Sequence, residues 1–208
     1  MASRSTSTLE GTQAPARPGI AQLAARLAAV LGTWAALCLV ADVAIPVEPL
    51  GVPITLQSLL VVASAMLFGP RLSLAGIGLY VITGALGARV FAEGEAGWAV
   101  LIGQTGGYIL GFLLVPHAVA LVLKGGLRGK PNYTLLRVAA AATLGTVVIF
   151  AVGVPWLKVV HSLPKDAHMT WATAIRGGLT PFIPGAIAKT LIAVAAGMLA
   201  GKATTRLW

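Results

Sequence analysis

Apolar runs long enough to cross a bilayer, on the order of 17–25 residues each, recur near 21–45, 52–69, 72–90, 98–123, 134–157 and 179–201. Their spacing predicts an all-α membrane protein with six transmembrane helices. The polar stretch 1–19, rich in Ser, Thr, Ala and Pro, predicts a disordered tail. Residues 205–208 are left as a short C-terminal tail and 20–204 as one six-helix membrane domain. Ala21–Val43 exceeds the usual apolar length of a secretory signal, and more spans follow it, so it is read as a span.

Within the first span, small residues recur every fourth position in two overlaid ladders: Ala21, Ala25, Ala29, Thr33 and Ala24, Ala28, Gly32, Ala36. Residues four apart share a helix face, and in lipid such faces let a second helix approach closely. Two outcomes stay open: packing within this bundle, or docking of Ala21, Ala25, Ala29, Ala24, Ala28 and Gly32 against a separate membrane subunit. Glycines also crowd the third and fourth spans, from Gly76 to Gly111, which predicts close helix contacts and no wide pore.

Composition changes the picture little: 57% of residues are hydrophobic and 10% charged, against about 45–50% and about 25% in soluble domains. The net charge of +9 would suggest a nucleic-acid partner if it clustered on one soluble face. Instead most of the basic residues fall between spans, which disfavours nucleic acid and sets topology. With the N-terminal tail cytoplasmic, Arg4, Arg17, Arg26, Arg71, Lys124, Arg128, Lys130, Arg137, Lys202 and Arg206 lie inside. Only Arg89, Lys158, Lys165 and Arg176 lie outside, with the acids Glu48, Glu93, Glu95 and Asp166. Both termini are therefore expected in the cytoplasm of a multi-pass plasma-membrane protein. Cys38 is the only cysteine, so neither a disulfide nor a thiolate metal site forms within the chain. His117, His161 and His168 lack metal-helix spacing, and no metal is expected.

Lys189 does not fit the apolar pattern. It lies inside the final span, PFIPGAIAKTLIAVAAGM, with no acid after Asp166. An ammonium near the bilayer interior costs roughly 2.5–3.5 kcal/mol on insertion scales and therefore finds a partner. An anionic ligand or carbonyl acceptors from another helix would serve. Thr55 and Gln57 at the start of the second span, Arg89 after the third, and Gln104, Thr105, Gly106 and Tyr108 opening the fourth fall at the same outer level. A cavity there would suit a small amphipathic carboxylate, with apolar walls and few polar groups. Duller roles also fit: Thr55 and Gln57 as helix-end bridges, Arg89 as a surface anchor, Tyr108 as a belt aromatic. No paired intramembrane carboxylates, HExxH or GxSxG pattern points to an enzyme.

Five segments in order carry a more specific signal: VPITLQSLLVVASAMLFGPRLSLAGIGLYVITGALG (52–87), Val90-Phe91, GQTGGYILGF (103–112), GVPWL (153–157) and PFIPGAIAK (181–189). Together they resemble the BioY family of biotin-specific substrate-binding (S) components of energy-coupling factor (ECF) vitamin importers. The resemblance covers about residues 40–200 and implies the six-helix ECF S-component fold, capture of biotin from outside and no catalysis or cofactor in this subunit. It also implies partners: an ECF transmembrane coupling protein and two cassette ATPases, docked through the first helix. By the same resemblance, Lys189 meets the valerate carboxylate; Arg89 is a second candidate for it, and Thr55, Gln57, Gln104, Thr105 and Tyr108 are expected near the bicyclic ring.

The chain departs from the family pattern at Gln104 (GPTGGY in the family), at Ala88-Arg89 (GLPVF) and at Ala186, where PFxPGDxxK has Asp. That Asp would accept from the ureido ring, so its loss leaves two expectations. Either Glu93, Glu95 or Gln104 replaces it, or the ligand is another small carboxylate such as lipoate or a biotin precursor.

Overall fold

The computed structural model describes residues 19–47, 50–125, 130–162 and 168–208. Except for Gly19, the tail 1–19 lies outside the described residues, as do Arg128, Lys165, Glu48 and Asp166. The described chain is helical apart from one antiparallel pair of two-residue strands, β1 (Ala44–Ile45) and β2 (Ile54–Thr55). The helices are α1 (Ile20–Leu39), α2 (Gln57–Ala85), α3 (Trp98–Ile102), α4 (Gly106–Lys124), α5 (Leu135–His161), α6 (Trp171–Gly178) and α7 (Ile183–Thr204).

Among the described residues, five helical stretches are long and apolar enough to cross a membrane. The sixth rod comes from α2, which is not straight. Gly69 inside it has φ 76° and ψ 176°, and Pro70 follows. Gln57 Nε2 donates to Tyr80 Oη at 2.8 Å across a separation of 23 residues, and Ser64 and Ser73 hydroxyls bond at 2.8 Å. Along one helix, residues 57 and 80 would stand about 35 Å apart. The two arms, 57–68 and 70–85, therefore lie side by side, antiparallel, as the predicted second and third spans. Glycine supplies the positive φ, and proline at the start of the second arm has no N–H to leave unpaired.

Three other predicted spans differ in detail. The first ends at Leu39, and Ala44–Ile45 joins the strand pair. The fourth breaks into α3 and α4 across 103–105, where Trp156 Nε1 donates to Gly103 O at 2.8 Å. The last is preceded by the separate short helix α6, capped by Thr170 Oγ1 accepting from the Thr173 N–H.

The core is built where a glycine on one helix faces a large side chain on its neighbour. Along the antiparallel α4–α5 seam, Gly107 lies against Trp156, Gly111 against the Ile149 backbone, Gly153 against the Tyr108 ring and Gly145 against Val115 and Val119. Helix α1 runs parallel to the second arm of α2, with Thr33 and Val30 against Gly76 and Trp34 Nε1 donating to Thr83 Oγ1 at 3.1 Å. The buried polar side chains Gln57, Ser64 and Thr33 are satisfied: Gln57 donates to Leu37 O and Tyr80, Ser64 to Val61 O, and Thr33 to Ala29 O.

The bundle has two unlike ends. At the turn end, Trp208 lies over Gly69 and donates from Nε1 to Leu67 O at 3.3 Å, and Tyr133 Oη donates to Met66 O at 2.7 Å. Residues 205–208, read from sequence as a tail, thus form a 3-10 turn over Thr205–Leu207 and a terminal indole packed on the hairpin. At the other end lie the strand pair, the 92–94 turn and α6, around a cavity.

Candidate functional site

That cavity, about 740 Å³ with its open mouth included, is walled by β2, both arms of α2, the 91–95 turn, α4, α5 and α7. Each wall follows from local sequence. The Pro53-Ile54-Thr55 strand turns into α2 at Gln57, which brings Thr55, Gln57 and Ser58 to one edge. Opposite, Lys189 projects from the second turn of α7. Its Nζ donates to the Thr55 carbonyl at 2.9 Å and to Ser58 Oγ at 3.0 Å. An ammonium carries three donors, so two protein acceptors leave one N–H for a ligand oxygen. The partial burial of Lys189 makes such a bond stronger than one in water.

The apolar wall is aromatic. Tyr108 stacks on Phe182 with centroids 6.3 Å apart and meets Phe150 edge-on at 6.1 Å. Phe150 and Phe182 lie 5.8 Å apart, and Phe91 meets Tyr80 edge-on at 5.5 Å. The Tyr108 hydroxyl donates to Gly178 O at 2.8 Å, tying α4 to α6, so Tyr108 offers the cavity its ring. Gln57 is held deeper, with Nε2 engaged by Leu37 O and Tyr80 and its Oε1 approached by Thr55 Oγ1 at 3.5 Å.

Of the residues predicted to bind ligand, Thr55, Gln57, Thr105, Tyr108 and Lys189 line this cavity. Three do not. Arg89 is exposed beyond the second arm of α2. Gln104 is exposed in an adjoining groove with Gly51, Glu95 and Thr105. Gly106 is buried against the Leu101 carbonyl, where its role is close packing. Glu93 and Glu95, named as substitute acceptors, do line the cavity. Glu93 is also the one non-glycine residue with positive φ, 60°, among the described residues.

Position 186 is placed differently from the sequence expectation. Ala186 lines a groove between α5 and α7 and a small space beside Lys189, not the ligand cavity. Ser58 and Phe150 were missed as wall residues. Ser58 adjoins Gln57 in the quoted motif, but a helical serine in an apolar span carries no distinguishing signal. Among the described residues, no group of three His, Cys, Asp or Glu side chains is placed to hold a metal ion.

The ladders on α1 separate. Ala29 and Thr33 are buried against the second arm of α2, so that ridge packs inside the bundle. Ala21, Ala24, Ala25, Ala28 and Gly32 are exposed, and nothing lies within 4 Å of a side chain built at Gly32.

Residues 10–206 match the model of the BioY family. The chain is 36% identical over 171 residues to the biotin transporter BioY of Rhodobacter capsulatus, covering 78% of this chain and 86% of that protein. It is 34% identical over 165 residues to the biotin transporter BioY of Thermotoga maritima, covering 79% and 83%. Its fold superimposes on the crystal structure of the S-component for biotin from an ECF-type ABC transporter with a TM-score of 0.72. That match has 23% identity and covers 88% of this chain and 93% of the other. The helical bundle is thus the ECF S-component fold, and over nearly its whole length the chain belongs to the BioY family.

Proposed function

We propose that this chain is the substrate-binding membrane subunit that captures biotin from outside the cell for ATP-driven uptake. The observation that carries the reading is the cavity: a lysine with one donor to spare faces aromatic walls of the size and polarity that suit a small bicyclic carboxylic acid. Lys189 meets the carboxylate, and Tyr108, Phe150 and Phe182 cover the apolar body. Thr105, Glu93 and Glu95 at the rim accept from ring N–H groups. Ala186 lies outside the cavity wall, in a small space that it shares with Lys189, Ser58 and Phe150, and Glu93 and Glu95 stand in the cavity as acceptors in place of the absent aspartate.

The uptake partners are an ECF transmembrane coupling protein and two cassette ATPases, with the exposed Ala24–Ala28–Gly32 ridge of α1 as the docking face. The turn end, with Arg26, Arg71, Lys124, Lys130, Arg137, Lys202 and Arg206, faces the cytoplasm of the plasma-membrane protein. Arg89, Lys158 and Arg176 face outside. Binding, not bond-making, is the subunit's chemistry.

Equilibrium binding of labelled biotin to purified protein tests the reading, and undetectable binding at micromolar concentration would overturn it. Lys189→Ala should weaken biotin roughly 10- to 100-fold, the value of a hydrogen bond to a charged group, with the fold intact. Biotin methyl ester sharpens this: if Lys189 meets the carboxylate, the variant should lose most of the preference for acid over ester. Equal weakening of both would place the lysine at the ring.

A further inference from the structure

On the lipid side of α5 and α7 runs a groove that the ligand site does not use. Its space is about 1360 Å³, open side included, and its lining is almost wholly apolar. It extends along α5 from Thr143 to Pro155, about 18 Å at 1.5 Å per residue. One leaflet's share of a hydrocarbon core about 30 Å thick is close to that length. The floor is small at Ala186, and Phe150 forms a wall of both this groove and the ligand cavity.

Among the described residues, a cation stands at the cavity-end mouth of the groove. Trp171 lines it, and Lys158 Nζ stands 5.2 Å over the Trp171 ring. Lys158 is one helical turn beyond Pro155, and Arg176 is exposed on the same short helix as Trp171. An apolar trough of leaflet length ending in a cation and an interfacial indole has the layout of a phospholipid: chain along the trough, phosphate at the mouth. A second copy of the chain fits less well. A two-fold interface brings the same patch against itself, which would set Lys158 of one copy against that of the other.

We propose that the α5–α7 groove binds one acyl chain of an anionic phospholipid, with its phosphate at the Lys158 end. Trp171 makes this measurable. The protein, reconstituted in phosphatidylcholine vesicles, is titrated with chain-brominated phosphatidylglycerol or chain-brominated phosphatidylcholine. Trp171→Phe isolates the contribution of that indole to the fluorescence.

Half-maximal quenching of Trp171 should need about fivefold less of the anionic lipid, the advantage one basic side chain gives near an anionic surface. Lys158→Gln should erase most of that difference, Lys158→Arg should keep it, and Ala151→Phe, which fills the trough, should weaken quenching by the anionic lipid. Equal mole fractions for the two lipids, or a preference unchanged in Lys158→Gln, would overturn the proposal. So would loss of quenching together with disulfide cross-linking between copies through Ile187→Cys in a Cys38→Ser background, which would assign the groove to self-association.

Discussion

Within its most apolar window α4 is 61% buried inside the protein, whereas the corresponding figure for α1 is 17%. Both helices are rich in small residues, α4 at Gly106, Gly107 and Gly111 and α1 at Ala21, Ala24, Ala25, Ala28 and Gly32. What separates them is the residue across the gap. Each α4 glycine meets something large or rigid: Trp156 at Gly107, the Ile149 backbone at Gly111, the Leu101 carbonyl at Gly106. On α1 only the Ala29–Thr33 ridge finds its counterpart, at Gly76. A small residue permits close approach, and a partner has to use the permission before it contributes dispersion energy.

The strongest way to break this contrast is to fill one α4 gap. Gly107→Leu would drive a side chain into Trp156, whose indole also closes the α3–α4 break through its bond to Gly103 O. Overpacking costs about 1–3 kcal/mol where neighbours can shift. Here the neighbour is anchored, so a loss of about 3 kcal/mol or more is expected, read as a collapsed thermal midpoint and loss of a monodisperse peak. A midpoint unchanged from wild type would show that the seam is loose and that the contrast with α1 is false.

A milder probe uses the same helix. Gly111→Ala brings a methyl group to 3.0 Å from Ile149 Cα and 3.2 Å from its carbonyl oxygen. The helix backbones must part by a few tenths of an ångström, against a gain of about 1 kcal/mol in helix propensity. The expected net is a loss of about 1 kcal/mol, measured by thermal unfolding in detergent. A gain would mean that α4 and α5 have room to separate.

How much of this could be read from the chain differs by region, for physical reasons. The hairpin in α2 was legible because Gly69-Pro70 interrupts an apolar run: a positive φ and a missing N–H are local properties. The break at 103–105 was not, since a hydropathy window averages across three residues flanked by apolar sequence. Short α6 was hidden because eight amphipathic residues outside any span resemble a loop. At the site, Lys189 stood out because a charge in lipid is expensive, and Thr55 lines the cavity, where its carbonyl accepts from Lys189. Phe150 was illegible: within an apolar span, nothing local tells a cavity wall from a core contact. Arg89 was grouped with the cavity because it ends the third span at the outer level, but a span end does not fix side-chain direction once Gly87, with φ 105°, turns the chain, and Arg89 is exposed.

The smallest expected effect on the fold is also the most informative about α1. Gly32→Leu and Ala28→Leu place bulk on a ridge exposed in the described structure. Neither has a protein neighbour to displace, so thermal midpoint and biotin affinity should stay within about 0.5 kcal/mol of wild type, the ordinary range for surface substitutions. If the ridge is a docking face, the same variants should abolish co-purification with the coupling protein and vitamin uptake by the assembled transporter. A close-approach interface loses its van der Waals contacts once a leucine holds the helices apart. Replacing Leu23 or Leu31 by Ala, on other exposed positions of α1, should leave both readouts intact. If the leucine variants assemble and transport normally, the exposed ladder is lipid-facing surface. The two helices would then differ in what surrounds them and not in what they do.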